Sequence, residues 1–353
     1  MVFLASKELS SGMRIARDIH YYDLSKKQIV EIKKSYILNS NDIWSIRNSN
    51  IDGLYVDKAA DTIAIEKIIT DELKNETLEG ITAVTESFLS NTVNKKQFEV
   101  LDMTAVKLIE SLTSDNITMV NIFDLKKYDD YTFHHSLSVA VMSLAMGVEL
   151  KLNEICLKEL VMSALLHDIG KVSVPIDILN KPSRLTPEEF NIVKRHPLDA
   201  GKYLLGNNLI TENVFRGIVC HHEKWDGTGY PNRLSKENIP FYSRIITVAD
   251  VYDALTSSRP YRKPSEPTEA VEYIMGGTGT YFDQDMVKVF LKKIAPYPVG
   301  CKVKLSNGRE AAVIKNNPSQ PLRPVVSMID SSDIYDLYND FSTLNIVITG
   351  TIK

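Results

Sequence analysis

Cysteine is scarce in this chain. Three occur in 353 residues, Cys156, Cys220 and Cys301. They are far apart and odd in number, which excludes a disulfide framework and any Cys-x-x-Cys zinc site and fits a reducing compartment. Long apolar runs are missing too. None approaches the roughly 20 residues that span a bilayer, so no membrane insertion is expected. The opening apolar run covers only Val2 to Ala5 with no basic residue before it, unlike a signal peptide, and a cytoplasmic protein is the expectation. Nor is there an excess of positive charge. Lys and Arg total 41 against 45 Asp and Glu, a net charge of −4, which argues against a DNA or RNA polymer as partner. A small anionic ligand is still compatible with a local cluster of cations. No proline precedes Pro175, which suits a long helical stretch.

What is present is an ordinary globular composition, 44% hydrophobic and 24% charged, in a chain long enough for two or three modules. Residues 1–60 mix β-like runs (Met13–Ile19, Gly53–Val56) with a polar helical stretch at Lys26–Ser35. They predict a small α+β module with a regulatory or partner-binding role. In 61–115, apolar residues recur at helical spacing (Ile63, Ile65, Ile68, Ile69, then Leu101, Met103, Val106, Leu108, Ile109), which predicts connecting helices. A homodimer or protein contact, if one is made, is expected through this N-terminal region. Residues 116–295 are expected to be strongly helical and hold nearly all of the candidate chemistry, with helices over 134–150, 154–168, 187–205, 211–222, 241–257 and 267–275 separated by Pro- and Gly-bearing loops. From 296 a small β-rich tail follows: a hairpin of Val303–Leu305 and Ala311–Ile314 about Ser306-Asn307-Gly308, then Val325–Met328 and Leu344–Thr349. The expected fold class is mainly α.

Six of the seven histidines lie between 134 and 222. Leu165-Leu166-His167-Asp168-Ile169-Gly170-Lys171 closes an apolar helical run. A His-Asp pair at the end of a buried helix costs free energy unless both groups are partnered, and a divalent cation partners both. His221-His222-Glu223-Lys224-Trp225-Asp226-Gly227-Thr228-Gly229-Tyr230-Pro231 is the second signal. Adjacent histidines lie about 100° apart on a helix and reach one ion mainly where the helix frays. His135, at the start of a helix, His196 in Arg195-His196-Pro197, and Asp250 after Ile245–Ala249 complete the set. Each alone reads as a cap or a solvated side chain. Together, at helix ends of one helical segment, they read as a metal site.

The order His135-Ser136, His167-Asp168-x-x-Lys171, His196-Pro197, His221-His222 with Gly229-Tyr230-Pro231, then Asp250 and Ser257-Ser258-Arg259-Pro260-Tyr261-Arg262-Lys263 resembles the HD-GYP family, a branch of the HD-domain metal-dependent phosphohydrolases. The likeness covers roughly 100–295, and the tail from Tyr297 is similar to that of many members. The resemblance implies an HD-type helical bundle with metals at its centre and hydrolysis of cyclic di-GMP to linear pGpG or on to GMP. A minority of the family acts on the mixed cyclic GMP-AMP dinucleotide. It further implies two divalent ions, iron or manganese with nickel as an alternative. One would be held by His135, His167 and Asp250, the other by His196, His221 and His222, with Asp168 bridging. Some members hold a third metal through a Glu one turn before the first histidine. Here Tyr131 stands there, behind Asp129 and Asp130, so two ions are expected. His134 is not expected to be a ligand.

Two close cations lower the pKa of a water between them and supply hydroxide near neutral pH. Two divalent ions, two carboxylates and one hydroxide leave a single net positive charge, complementary to a phosphodiester. Asp168 and Lys171 are the candidate catalytic residues. Lys171, Tyr230, Arg259, Arg262 and Lys263 are candidates for substrate contact, the last three for the phosphate not being cut. The rival readings are an HD-type nucleotidase or dNTP phosphohydrolase, which gives no reason for His221-His222 and the Gly-Tyr-Pro loop, and a catalytically inactive cyclic-dinucleotide receptor, against which the complete ligand set argues.

Overall fold

In the computed structural model, described residues are all but 1, 10–12, 24–27, 35, 50, 52, 57–67, 115–118, 121–124, 126–130, 258–263, 332 and 353. They divide into two compact units. The first comprises Met1–Lys67, Ser114–Asn121 and Ala295–Lys353, and the second Ile68–Thr113 and Ile122–Ile294. The fold is mainly α with small sheets near both ends of the chain, as the residue patterns predict.

In the first unit, β1 (Val2–Ala5) pairs antiparallel with β4 (Gly53–Val56), and β2 (Ile19–Asp23) with β3 (Gln28–Ile32). Helix α1 (Ser40–Arg47) starts at Asn39, whose side chain accepts from the Asp42 amide while Asp42 answers to the Asn39 amide. That reciprocal cap fixes the helix start. Leu9, Ile15, Leu38, Ile46 and Leu54 form the core. Two expectations need correction here. The stretch read as a helix within Lys26–Ser35 is the strand β3, because Ile29, Val30 and Ile32 are β-branched and pair with β2. Met13–Ile19 contributes only isolated bridges at Arg14 and Ile15, and the strand begins at Ile19. The remainder of this unit includes a five-stranded antiparallel sheet of order β8-β7-β6-β5-β9, built from β5 (Lys302–Leu305), β6 (Glu310–Lys315), β7 (Val325–Met328), β8 (Ile334–Asp336) and β9 (Ile348–Thr351). Its core is Tyr297, Val303, Leu305, Val313, Val326 and Met328. The last strand starts four residues later than the apolar run from Leu344 suggests.

The second unit is helical: α2 (Asp71–Leu89), α3 (Lys95–Ser114), α4 (Tyr131–Glu149), α5 (Glu154–Leu166), α6 (Ile176–Leu179), α7 (Pro187–Val193), α8 (His196–Gly206), α9 (Glu212–Val219), α10 (Phe241–Thr256), α11 (Pro267–Gly276) and α12 (Gln284–Lys293). Helices α4 and α5 are its centre. Leu137, Val139 to Met142 and Leu144 to Met146 of α4 are buried, as are Leu157 and Leu160 to Leu166 of α5. A helix apolar all round belongs inside, so whatever follows α5 starts in the interior. Helix α10 packs on α4, α9 on α5, and α8 on α9. Helix α2 packs on α4 and on the 3-10 turn Ile169–Ser173, so the helices read as connectors are part of this bundle from Ile68 on. Ile63 and Ile65 lie outside the described residues. The helix expected over 187–205 is two helices, interrupted at Lys194-Arg195. That break puts His196 at the first position of α8. No described helix is long and apolar enough to cross a membrane.

Candidate metal centre

Five of the seven candidate ligands sit at or just beyond a helix end; His135 lies one turn into α4 and Asp250 in the middle of α10, which corrects the expectation of a helix end for Asp250. His167 caps the C-terminus of α5 and Asp168 follows it. His196 opens α8. Helix α9 stops at Val219, so His221 and His222 lie in the turn beyond it, with ring centroids 3.9 Å apart. This resolves the difficulty of neighbouring histidines on a continuous helix. His135 comes from α4 and Asp250 from α10. The structure gathers these residues into two groups, one of His135, His167 and Asp250, the other of Asp168, His196, His221 and His222. Within each group the ligand atoms lie within 4.8 Å of one another. His134 belongs to neither.

Asp168 faces both groups. Its Oδ2 lies 3.6 Å from His135 Nε2 and 3.5 Å from His167 Nε2, and its Oδ1 lies 3.2 Å from His196 Nε2 and 3.8 Å from His221 Nε2. His135 Nε2 is 3.1 Å from Asp250 Oδ1, and His222 Nδ1 is 3.9 Å from Asp250 Oδ2.

The tautomers show what such an arrangement needs. His167, His196 and His221 each set Nδ1 against the backbone carbonyl three residues earlier, Ala164 at 2.7 Å, Val193 at 2.7 Å and Ile218 at 2.6 Å. A carbonyl only accepts, so Nδ1 carries the proton and the neutral ring presents Nε2 as a bare lone pair. All three Nε2 atoms, and Asp168 Oδ1, are buried without a hydrogen-bond partner. Acceptors converging on acceptors in a dry interior are unfavourable. A divalent cation among them removes the penalty, and five imidazoles with two carboxylates suit one. The residues present therefore fit a metal centre.

The electrostatics agree. Burial pushes His167 down, and holds His221 well below and His222 down to about 3, so these rings remain neutral, as ligands must be. Burial works to raise Asp168, but Lys171 and the nearby histidines hold its carboxyl well below the usual range. Asp250 is likewise held down against burial, chiefly by His135. His135 is the exception. Burial pulls it down, yet hydrogen bonds to Asp250 and Asp253 raise it to about 9.

Asp253 was not singled out by the sequence. It is buried one turn after Asp250 on α10, with Oδ2 2.7 Å from His135 Nδ1 and accepting from Ser257 Oγ at 3.1 Å. Such a carboxylate fixes the ring's orientation and makes its other nitrogen a better donor to a cation. The charge balance shifts accordingly. Asp253 adds a negative charge beside the centre, and the Lys171 ammonium, bonded to Asp168 Oδ2, offsets it.

Two glycines are required by close approach. A Cβ at Gly170 would stand 2.1 Å from the His196 carbonyl oxygen, and one at Gly229 2.4 Å from the Lys224 amide nitrogen. Both contacts are with backbone that carries or follows a candidate ligand histidine. Glu223, also missed, is buried and accepts from the amides of Asn232 at 2.6 Å and Leu234 at 3.1 Å, which anchors the loop after Tyr230. Thr247 Oγ1 donates to the His221 carbonyl at 2.7 Å. The Tyr230 ring lies 4.8 Å from that of His222. Burial and the charges of Asp168 and Asp250 push its phenol pKa up, so it stays a donor. Lys171 reaches the centre from a partly exposed position, 21% accessible. Arg259, Arg262 and Lys263 lie outside the described residues, as do Asp129, Asp130 and the side chain of Tyr131.

The profile of the HD domain family matches residues 108–286. A cyclic di-GMP phosphodiesterase of Pseudomonas aeruginosa is 38% identical over 214 residues, 61% of this chain and 51% of that protein. A cyclic di-GMP phosphodiesterase of Thermotoga maritima is 35% identical over 201 residues, 56% of this chain and 55% of that protein. The chain thus spans about half the length of these curated relatives. Among solved structures, an HDG"Y"P protein of Bdellovibrio bacteriovorus superposes with a TM-score of 0.54 at 16% identity, covering 82% of this chain and 97% of that one. At that identity the likeness concerns the fold alone.

Proposed function

The chain belongs to the HD-domain family, and from that membership we propose that it is a metal-dependent phosphodiesterase that hydrolyses cyclic di-GMP to linear pGpG, GMP or both. The observation that carries this reading is the convergence of bare, buried Nε2 atoms from His167, His196 and His221 on the two oxygens of Asp168. Two divalent ions would be held, one by His135, His167 and Asp250, the other by His196, His221 and His222, with Asp168 shared between them. The resemblance to the HD-GYP family implies iron or manganese, with nickel as an alternative, and imidazole and carboxylate donors are compatible with these ions. When bound, such ions lower the pKa of a water toward neutrality and neutralise the non-bridging oxygens of a phosphodiester.

The protein's own side chains do the rest. Nδ1–H bonds to Ala164, Val193 and Ile218 keep three rings neutral and aimed inward. Asp253 holds the fourth ring, His135. Lys171 neutralises Asp168 and presents its ammonium toward a phosphate oxygen from the accessible side. Tyr230, kept protonated, donates a hydrogen bond at the mouth of the site. In the reaction the attacking water's oxygen ends on phosphorus, and the 3′ oxygen departs as a hydroxyl, which opens the ring to the linear dinucleotide. The test is turnover of cyclic di-GMP by the metal-loaded chain under anaerobic conditions, with product analysis. The linear product is expected from the wild type and absent from His167→Ala and Asp168→Ala. Retained turnover in either variant would end the assignment.

A further inference from the structure

A cyclic dinucleotide has two bases and two phosphates, and the metal centre accounts for only the phosphate being cut. The structure carries a feature beside the centre that none of the assignments above uses. The Phe190 ring, on α7, is 43% exposed. Its centroid lies 6.0 Å from that of Tyr230, at an interplanar angle of 83°. Tyr230 in turn lies against His222, with centroids 4.8 Å apart. The Lys194 ammonium stands 5.0 Å from the centroid of the Phe190 ring. A line of His222, Tyr230, Phe190 and Lys194 therefore leads from the metal group to solvent.

This line is firmly mounted. Thr186 and Glu189 form a reciprocal cap at the start of α7, and Lys181 Nζ holds both oxygens of Glu189 at 2.7 Å. At the other end, Lys194 is only two residues from the ligand His196. Among the described residues, Lys194 makes no ion pair, unlike Lys171 and Lys181. Its charge remains available to an anion.

We propose that Phe190 and Lys194 form a shelf for the half of the cyclic dinucleotide that is not being cut, with the purine against the Phe190 ring and the second phosphate at the Lys194 ammonium. This rests on the reading of the chain as a cyclic-dinucleotide phosphodiesterase. Aromatic rings take any base by its π-face, and a lysine offers a point charge to a phosphate. The shelf belongs to α7, so it does not depend on Arg259, Arg262 or Lys263. The competing role for Phe190 is to prop Tyr230. A prop, once removed, disturbs the centre itself and lowers kcat and metal content. A shelf, once removed, weakens only substrate binding.

The experiment is steady-state kinetics of the full chain loaded with Mn²⁺, with metal content measured on the same samples. Loss of one base stack by Phe190→Ala is expected to raise KM for cyclic di-GMP about tenfold, with kcat within about twofold and metal content unchanged. Phe190→Tyr and Phe190→Trp restore KM, since either ring stacks. Lys194→Met raises KM and flattens its dependence on salt. An unchanged KM in Phe190→Ala overturns the shelf, as does a fall in kcat and metal content without a change in KM. Wild-type chain that holds metal but neither binds nor cuts cyclic di-GMP overturns the substrate reading, and the shelf with it. Turnover with unaltered KM in the variants overturns the shelf alone.

Discussion

Replacing Gly170 by alanine places a methyl group where the backbone of His196 already is. The new Cβ would stand 2.1 Å from the His196 carbonyl oxygen, 2.8 Å from its carbon and 3.0 Å from its Cα, against 3.4 Å or more for ordinary contact. Neither partner is a flexible side-chain tip. The start of α8 must therefore retreat by about 1.3 Å, with overpacking of this kind costing roughly 1–3 kcal/mol. His196 sits on that first turn with Nε2 3.2 Å from Asp168 Oδ1, so the retreat carries a candidate ligand atom away from the Asp168 carboxylate. Misplacement by about 1 Å at a reacting centre costs on the order of 10²-fold in rate. The melting temperature should fall by roughly 2–12 °C for a unit of this size. The assay is cyclic di-GMP turnover, with metal content and a thermal melt on the same protein. Gly206→Ala is the control, because a Cβ there meets nothing within 4 Å, and it should leave all three unchanged. Gly170→Ala with full metal content and near-normal turnover would refute the reasoning.

Other expectations concern the surrounding shell and solution conditions. Asp253→Ala should weaken metal binding by about 10–100-fold through loss of the His135 orientation, measured by competition with a chelator, while Asp253→Asn, which keeps an acceptor for Nδ1–H, should lose less; equal affinity in all three proteins would count against the positioning role. Glu223→Ala should release the loop after Tyr230 and raise KM, leaving metal content intact, as steady-state kinetics with metal analysis would show. The metal-free chain should lose stability as pH falls from about 7.5 to 5.5. His167, His221 and His222 have folded pKa values below 6.5, so in that window the unfolded chain takes up protons that the folded site refuses, each worth up to ~1.4 kcal/mol per pH unit. His135, raised to about 9, acts in the opposite sense, with stability present below 6.5 and lost as pH rises through 9, but it is one group against three. A urea midpoint equal or higher at pH 5.5 would contradict this balance.

Much of the candidate centre is legible because its candidate ligands come in short, unusual strings. His167-Asp168 ends a run so apolar that the pair had to be interior, and His221-His222 precedes a cluster of Gly and Pro that ends a helix. Asp253 escaped because an acid three residues after Asp250 on an amphipathic helix reads as solvent-facing. Only the packing of α10 on α4 turns it toward His135. The i, i+3 relation to Asp250 was the available signal. Glu223 escaped because its partners are backbone amides nine and eleven residues later, contacts made by loop geometry with no side-chain pattern. The same holds for Phe190, whose meaning comes from Tyr230, forty residues away. In the fold, helices that bury one face or all faces were readable, as was the hairpin about Ser306-Asn307-Gly308. The strand β3 was not, because its two polar residues, Gln28 and Glu31, stand three apart in a run of five, which fits a helical spacing as well as a strand.

The measurement that bears most directly on the central claim is the metal content of anaerobically reconstituted wild-type chain beside Asp168→Ala. The two side-chain groups predict two ions per wild-type chain. Both groups face the oxygens of Asp168, so its removal should leave neither ion tightly held. Wild-type protein that emerges from dialysis without metal, or an Asp168→Ala chain that keeps both ions, would contradict the account.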